Sequence, residues 1–406
     1  MKNIIVGQSG GPTAVINSSV AGVYKKAKEI GIDKVYGMVY GIEGFLKENI
    51  IDLGEYLDKE ENYELLKRTP SAFLGSCRYK LPKIDGNEEV YEKIFSILEK
   101  YEIDALFYIG GNDSMDTIKM LSDYAKEHHK PQLFMGIPKT IDNDLPITDH
   151  CPGYGSAAKY IATSIKEIIR DNSSFDKTRQ TICIVEIMGR HAGWLTAAAA
   201  LAKGEDCEGV DAIYLPEIDF DLDNFLTNVK SLIKKKASIV IAVSEGLKTK
   251  DDKFVCELGS EDRKVDAFGH KQLSGCAVTL ANIIAKETGL KTRAIEFSTL
   301  QRAATHIASL TDINEAEMVG MKAVEEANNG KTGMMVIMKR SDNYQITTDT
   351  YDIHNIANVE KKVPLEWIDL DNNMMKEDFI NYAKPLIMGE LLPIFKNALP
   401  THLIRK

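Results

Sequence analysis

Three times in its first half the chain runs through a short apolar segment, stops at glycine and resumes with helical periodicity. The first copy reads Asn3-Ile4-Ile5-Val6-Gly7, then Gln8-Ser9-Gly10-Gly11-Pro12-Thr13, then apolar residues at Ile16, Val20, Val23 and Ala27. The second reads Asp104-Ala105-Leu106-Phe107-Tyr108-Ile109, then Gly110-Gly111-Asn112-Asp113-Ser114, with Met115, Ile118, Leu121 and Ala125 on one helical face. The third runs from Thr181 to Ile187, passes through Met188-Gly189-Arg190 and predicts an alanine-rich helix through Ala202. Apolar residues three and four apart share a helix face, whereas a continuous β-branched run marks a strand buried on both sides. Further buried strands are predicted at 133–137, 212–215 and 239–243.

Buried strands alternating with amphipathic helices give an α/β fold in which mainly parallel sheets are covered on both faces. The 406 residues leave room for two Rossmann-like lobes facing each other across a cleft. Ligands of such sheets gather at the carboxyl ends of the strands, where the glycine loops lie, so the active site is expected between the lobes. The expected division is 1–145 for a first α/β lobe, 146–300 for a second, and 301–406 for a segment returning to the lobes. Stretches 43–67 and 248–264, and the part beyond Gly333, read as excursions from this pattern.

With 60 acidic and 50 basic side chains the formal charge is -10, the wrong sign for a dedicated binder of nucleic acid or anionic membrane. The 6 cysteines are scattered, without a CxxC pair or zinc spacing, and read as buried thiols in a reducing compartment. After Met1-Lys2 the apolar run breaks at Gly7-Gln8, so no secretory leader is expected. The uncharged stretch 192–202 is too short to span a bilayer. A cytoplasmic protein without membrane or nucleic-acid partners is the expectation.

Ser9-Gly10-Gly11 reads as a turn opening a helix, where backbone N–H groups and the helix terminus favour an anion; a tight turn needing positive φ looks the same. The turn lacks GxGxxG spacing, and Gly330-Lys331-Thr332 has Glu325 where the first P-loop glycine belongs. Gly110-Gly111-Asn112-Asp113-Ser114 repeats the arrangement, with residues that are also good helix caps. Pro138-Lys139-Thr140-Ile141-Asp142-Asn143-Asp144 sets two carboxylates around an asparagine, with a lysine three residues before the first. Such a set suits proton abstraction and charge compensation on phosphate, although a solvated turn has the same composition. Arg78, Arg190, Arg293 and Arg302 are further cations. Sugar phosphates need several, because guanidinium pairs with phosphate oxygens in bidentate fashion. His128-His129 reads as solvent-facing, and His191 and His270 as structural. No GxSxG elbow, HExxH pair or Cys–His nucleophile signature occurs.

Taken in order, Ser9-Gly10-Gly11, Phe73-Leu74-Gly75-Ser76-Cys77-Arg78, Gly110 to Ser114, Pro138 to Asp144, Val185-Glu186-Ile187-Met188-Gly189-Arg190, Ser244-Glu245-Gly246, and Thr292-Arg293 with Gln301-Arg302 resemble the 6-phosphofructokinase family. The resemblance covers most of the chain. It implies phosphoryl transfer to the 1-hydroxyl of fructose 6-phosphate in a cleft between two lobes. Asp142 then matches the base that accepts the hydroxyl proton. Thr140, Ile141, Asp142, Met188, Gly189 and Arg190 line the sugar, Glu245 binds a sugar hydroxyl and Arg302 the 6-phosphate. Arg293 matches a residue reaching the sugar phosphate of a neighbouring subunit, which implies a homodimer or homotetramer. Arg78 matches a cation near the transferred phosphoryl, and Gly11 and Gly111, with Asp113 and Lys139, fall at the donor.

Departures from the family pattern carry information. Asn112 replaces the usual magnesium-binding aspartate, and a neutral amide is a weaker ligand for a hard cation. Mg2+ is therefore expected to rest mainly on donor phosphates and water, with Asp113 as a second contributor. Thr181 stands where many relatives carry a second intersubunit arginine, and Thr299 where short bacterial ATP enzymes carry a histidine near the sugar phosphate. In relatives that use ATP the positions of Asp113 and Lys139 hold glycine; the Asp–Lys pair marks the pyrophosphate-dependent branch. A carboxylate at 113 takes the place of the ATP α-phosphate, and two like charges about 4 Å apart repel by about 4 kcal/mol at an effective dielectric near 20. Pyrophosphate as donor and fructose 6-phosphate as acceptor are the expected substrates. An ATP-dependent phosphofructokinase is the nearest alternative. A nicotinamide-dependent oxidoreductase is disfavoured by the glycine spacing, and a silent sugar-phosphate sensor by the presence of both Asp142 and Arg190.

Overall fold

The computed structural model describes residues 1–174, 178, 180–259, 275–356 and 359–405. In chain order its main strands are β1 (Asn3–Gln8), β2 (Lys34–Met38), β3 (Ile50–Asp52), β4 (Ile103–Gly110), β5 (Leu133–Pro138), β6 (Thr181–Ile187), β7 (Ala212–Tyr214), β8 (Ser238–Ser244), β9 (Lys291–Glu296), β10 (Met334–Ser341) and β11 (Gln345–Asp352). A first sheet has the order β11-β10-β5-β4-β1-β2-β3, and a second the order β7-β8-β6-β9. The second sheet is parallel throughout, and the first departs from parallel only at its two edges, β2–β3 and β10–β11.

The apolar runs explain this directly. Successive side chains of a strand point to opposite faces. Ile4 and Val6 enter the core on one side of the first sheet while Ile5 enters the core on the other. Ala105, Phe107 and Ile109 divide from Leu106 and Tyr108 in the same way. In the second sheet Cys183, Val185 and Ile187 face one core, and Ile182 and Ile184 the opposite one. Helices with matching apolar faces cover both sides, among them Ile16–Glu29, Asn112–Glu127, Tyr154–Asn172 and Leu222–Lys235.

The helix Leu310–Asn328 brings the chain back to the first sheet by packing on Ile16–Glu29. Their crossing requires two glycines. A Cβ at Gly22 would lie 2.0 Å from the Glu317 carbonyl oxygen, and one at Gly320 would lie 2.2 Å from that of Ser19.

Several sequence expectations need correction. The alanine-rich stretch is one short α-turn, Trp194–Ala197, continued as the 3-10 segment Ala198–Ala202. Its small side chains are buried, so packing rather than propensity sets its conformation. Ser9-Gly10-Gly11 does not open a helix, because the helix starts only at Ile16, after Pro12 and three further residues. The part beyond Gly333 is no excursion, since β10 and β11 extend the first sheet. Stretch 43–67 likewise includes β3, an edge strand of that sheet. His270 and residues 260–264 lie outside the described residues. None of the 6 cysteines forms a disulfide, and all but Cys207 are buried. No helix among the described residues is long and apolar enough to cross a membrane.

Candidate active site

Strand register brings the loops together. Gln8 pairs with Ile109 and Gly110 with Pro138, so β1, β4 and β5 end level and the segments after them emerge side by side. In the second sheet Ile187 pairs with Ser244, and Glu186 with Glu296, which gathers 188–190, Glu245 and 297–302. Between the two sets lies an open cleft of ≈ 630 Å³. Gly11, Arg78, Gly111, Asn112, Asp113, Lys139, Thr140, Asp142 and Arg190 all line it.

The glycine turn at its floor is tied down. Gly10 has φ 74°, the left-handed region that glycine tolerates, and its N–H donates to the Cys77 carbonyl at 3.1 Å. Ser76 Oγ donates back to the Gly10 carbonyl at 2.6 Å, so the turn fixes the loop that carries Arg78 into the cleft. Gly11 lies close to Arg302, since a Cβ there would come 3.3 Å from Arg302 Nη1. A side chain from the short helix after β9 thus comes near the first glycine turn.

Charge in and beside the cleft is concentrated: Lys139 and Asp142 line it, whereas Glu245 and Arg302 stand outside its lining but close enough to act on Asp142. Lys139 is 4% exposed and donates from Nζ to the Gly11 carbonyl at 2.7 Å. Burial pushes its ammonium down to about 8, against the pull of Asp142 and Asp144. Asp142 donates its N–H to Thr140 Oγ1 at 3.0 Å, which fixes the turn that presents its carboxylate. Burial first, then the Asp144 charge, hold that carboxylate well above the usual range, with Lys139 and Arg302 opposing. Burial pushes Glu245 up to about 7, although the Gly189 N–H donates to its Oε1 at 3.3 Å. Burial and the neighbouring Arg78 charge lower Arg302, while Asp142 and Glu245 act against them. Weak hydration makes each of these groups sensitive to an incoming phosphate.

Other expected residues act from behind the cleft wall or lie away from it. The Ile141 side chain is buried in the core of the second sheet, and Met188 packs against the same core. Met188 donates its N–H to Gln301 Oε1 at 3.2 Å, beside Arg302. Gly189, with φ 144°, accepts from Ser244 Oγ at 2.5 Å. Arg293 lies on the edge strand β9, 3.3 Å from Asp171, in a separate depression of ≈ 390 Å³. Thr299 is exposed at the start of the short helix Leu300–Ala303. Within one chain, then, Arg293 and Thr299 do not join the cleft.

Residues the sequence reading missed are Tyr79, His191 and Glu360, which line the cleft. His191 is exposed at the rim, which corrects its reading as a structural histidine. Glu360 comes from the far tail and raises both Asp142 and Asp144 electrostatically. No local motif announces it. For a metal, the notable atoms are Asn112 Oδ1 and Asp144 Oδ1, both buried and without a hydrogen-bond partner. No cluster of three or more His, Cys, Asp or Glu residues suited to a metal occurs among the described residues.

The phosphofructokinase family model matches residues 3–327. The chain belongs to the phosphofructokinase family. It is 41% identical over 402 residues to the pyrophosphate--fructose 6-phosphate 1-phosphotransferase of Halomonas elongata, covering 98% of this chain and 94% of that one. The enzyme of the same name from Methylococcus capsulatus is 41% identical over 405 residues, 99% of this chain and 95% of the relative. The crystal structure of the pyrophosphate-dependent phosphofructokinase of Nitrosospira multiformis superposes with a TM-score of 0.89 at 38% identity, covering 99% and 96% of the two chains. Phosphofructokinase from Pichia pastoris, at 21% identity and a TM-score of 0.69, shares the fold.

Proposed function

We propose that this chain transfers a phosphoryl group from pyrophosphate to the 1-hydroxyl of fructose 6-phosphate, giving fructose 1,6-bisphosphate and orthophosphate in a reversible reaction. The observation that carries the reading is Lys139. A buried ammonium held by the glycine turn and acting on Asp142 supports a donor that brings only phosphate charge to this point. The names borne by relatives at 41% identity support the same donor.

The chemistry follows from the charges. Asp142 takes the proton of the 1-hydroxyl as its oxygen bonds to phosphorus, and the bridging P–O bond of pyrophosphate breaks. Burial makes Asp142 a stronger base than an exposed carboxylate, which suits proton transfer from an alcohol. Orthophosphate leaves with the electron pair, its charge offset by Lys139 and Arg78, fixed cations that need no reorganisation. Thr140, Arg190, Glu245 and Arg302 hold the sugar phosphate, and Ile141, Met188 and Gly189 shape its wall from behind. Gly11 and Gly111 let the donor approach the main chain, and Asp113, exposed at the first helical turn, excludes an α-phosphate.

The family generally uses magnesium. The unpartnered Asn112 Oδ1 and Asp144 Oδ1 fit a cation held mostly by substrate phosphates, with Asp113 nearby. Bound there, magnesium supplies charge neutralisation to the transferring phosphates. Arg293, remote from its own cleft, supports a homodimer or homotetramer in which it serves a neighbour. We place the lobes at 1–145 and 146–300 and the returning segment at 301–406, supported by sheet membership. Six cysteines without a disulfide among them support a cytoplasmic setting.

The test is an assay of purified protein with fructose 6-phosphate and magnesium, comparing pyrophosphate with ATP at equal concentration. Turnover with pyrophosphate and little with ATP is expected, and excess chelator should abolish it. A preference for ATP would replace this reading by the ATP-dependent one.

A further inference from the structure

The family match ends at residue 327, yet the stretch beyond it grips the catalytic loop at one point. Three side chains from separate parts of that stretch converge on Asp149. Lys361 Nζ donates to its carbonyl oxygen at 2.8 Å and to that of Thr148 at 3.1 Å. The Tyr382 hydroxyl donates to the same Asp149 oxygen at 2.9 Å. Arg340 places Nε and Nη2 on the Asp149 carboxylate at 3.0 and 2.8 Å.

Lys361 and Tyr382 also reach the residues flanking the base. The Lys361 N–H donates to the Asp144 carbonyl at 2.7 Å. Asn143 Nδ2 donates to the Tyr382 hydroxyl at 2.8 Å, while Asn143 Oδ1 accepts the Cys151 N–H at 2.9 Å. Asn143 is fully buried with φ 56°, so the chain reverses in a left-handed conformation immediately after Asp142. Such a residue persists only where its surroundings hold it. The Lys361 carbonyl accepts from Trp194 Nε1 at 3.0 Å, and the Val363 N–H donates to Glu217 Oε1 at 3.0 Å, tying the same strap to the second lobe. Neither Lys361 nor Tyr382 lines the cleft.

We infer that Lys361 and Tyr382 are positioning residues, which hold the Asp142 carboxylate in its reactive orientation and lock the catalytic loop to the second lobe. The inference rests on the reading of Asp142 as the base. Because they fix the loop from behind, their removal should misplace the base without removing a substrate contact.

The experiment measures kcat and KM for pyrophosphate and fructose 6-phosphate in Tyr382→Phe, Lys361→Met and the double variant, at a temperature where circular dichroism shows each folded. A misplacement of about 1 Å costs on the order of 10²-fold, so kcat should fall by at least about tenfold in each single variant, with either KM within about threefold. The double variant should lose less than the product of the two, because both donors serve one carbonyl. Lys361→Arg should recover part of the loss. A kcat within about twofold of wild type in both single variants, or a loss expressed in KM alone, would overturn the inference. Tyr382→Phe keeps the ring and its packing, and decides the matter should Lys361→Met not fold. A wild-type enzyme inactive with pyrophosphate would remove the functional reading itself; an active wild type with unaffected variants removes only this inference.

Discussion

The Lys139 ammonium donates to the Gly11 carbonyl oxygen at 2.7 Å, joining the loop after β5 to the glycine turn after β1. Gly10, whose φ of 74° favours glycine, lies close by, since a Cβ there would come 3.3 Å from Lys139 Nζ. A cation held this way is fixed before the donor arrives. It does not have to be gathered from solvent during the reaction.

Lys139→Met should therefore damage the pyrophosphate reaction severely while leaving the fold intact. Burial holds the Lys139 ammonium near 8, so kcat/KM should fall as pH rises through about 8, and this limb should vanish in the variant. Stability carries the opposite sign. Between about 8 and the ordinary 10.5 the unfolded chain binds the extra proton, so this group makes stability rise with pH across that window. Urea melts at several pH values should show that rise flattened in Lys139→Met.

Asp142→Asn should lose about 10²–10⁴-fold in kcat, with the KM for fructose 6-phosphate changed far less. Retention of more than about a tenth of wild-type turnover would exclude Asp142 as the base. Because burial and Asp144 raise the Asp142 carboxyl, the acidic limb of kcat/KM should lie above the usual carboxylate range, activity falling as pH drops through it. Glu360→Gln should move that limb to lower pH, since Glu360 also raises Asp142.

Asp113→Gly should raise the rate with ATP relative to that with pyrophosphate. Asp113 is exposed in the first turn of its helix and lines the cleft, so its loss removes charge and bulk without opening a core. Competition between the two donors in one reaction mixture reads the ratio directly. An unchanged ratio would mean that another residue selects the donor.

Gly320→Ala should destabilise the protein without altering its chemistry. The new Cβ would lie 2.2 Å from the Ser19 carbonyl oxygen, and that backbone belongs to a packed helix that cannot yield cheaply. Overpacking of this kind costs about 1–3 kcal/mol or more. Calorimetry should show a Tm lower by several degrees, with both KM values unchanged at a temperature where the variant is folded.

Particular residues show how far the sequence reaches. Ile4-Ile5-Val6 and Ile182-Cys183-Ile184 read as strands buried on both faces, because short, β-branched apolar runs that stop at glycine suit a covered sheet better than a helix. The glycine loops and the Lys139 to Asp144 segment were ambiguous on their own, since turns, caps and solvated loops share their composition, and only their order along the chain, through the family resemblance, marked them as a candidate site. The half-buried strand β9, with Lys291, Thr292 and Arg293, gave no such signal, and the alanine run took its 3-10 form from packing. Only the tertiary structure decided that Glu360 faces Asp142, that Arg302 meets Gly11, and that Lys361 and Tyr382 share the Asp149 carbonyl. Those pairs join residues up to 291 positions apart (11 to 302), where no periodicity or turn chemistry links the partners. Strand register and helix packing bring them together, and these depend on the fit of whole surfaces rather than on any short run of sequence.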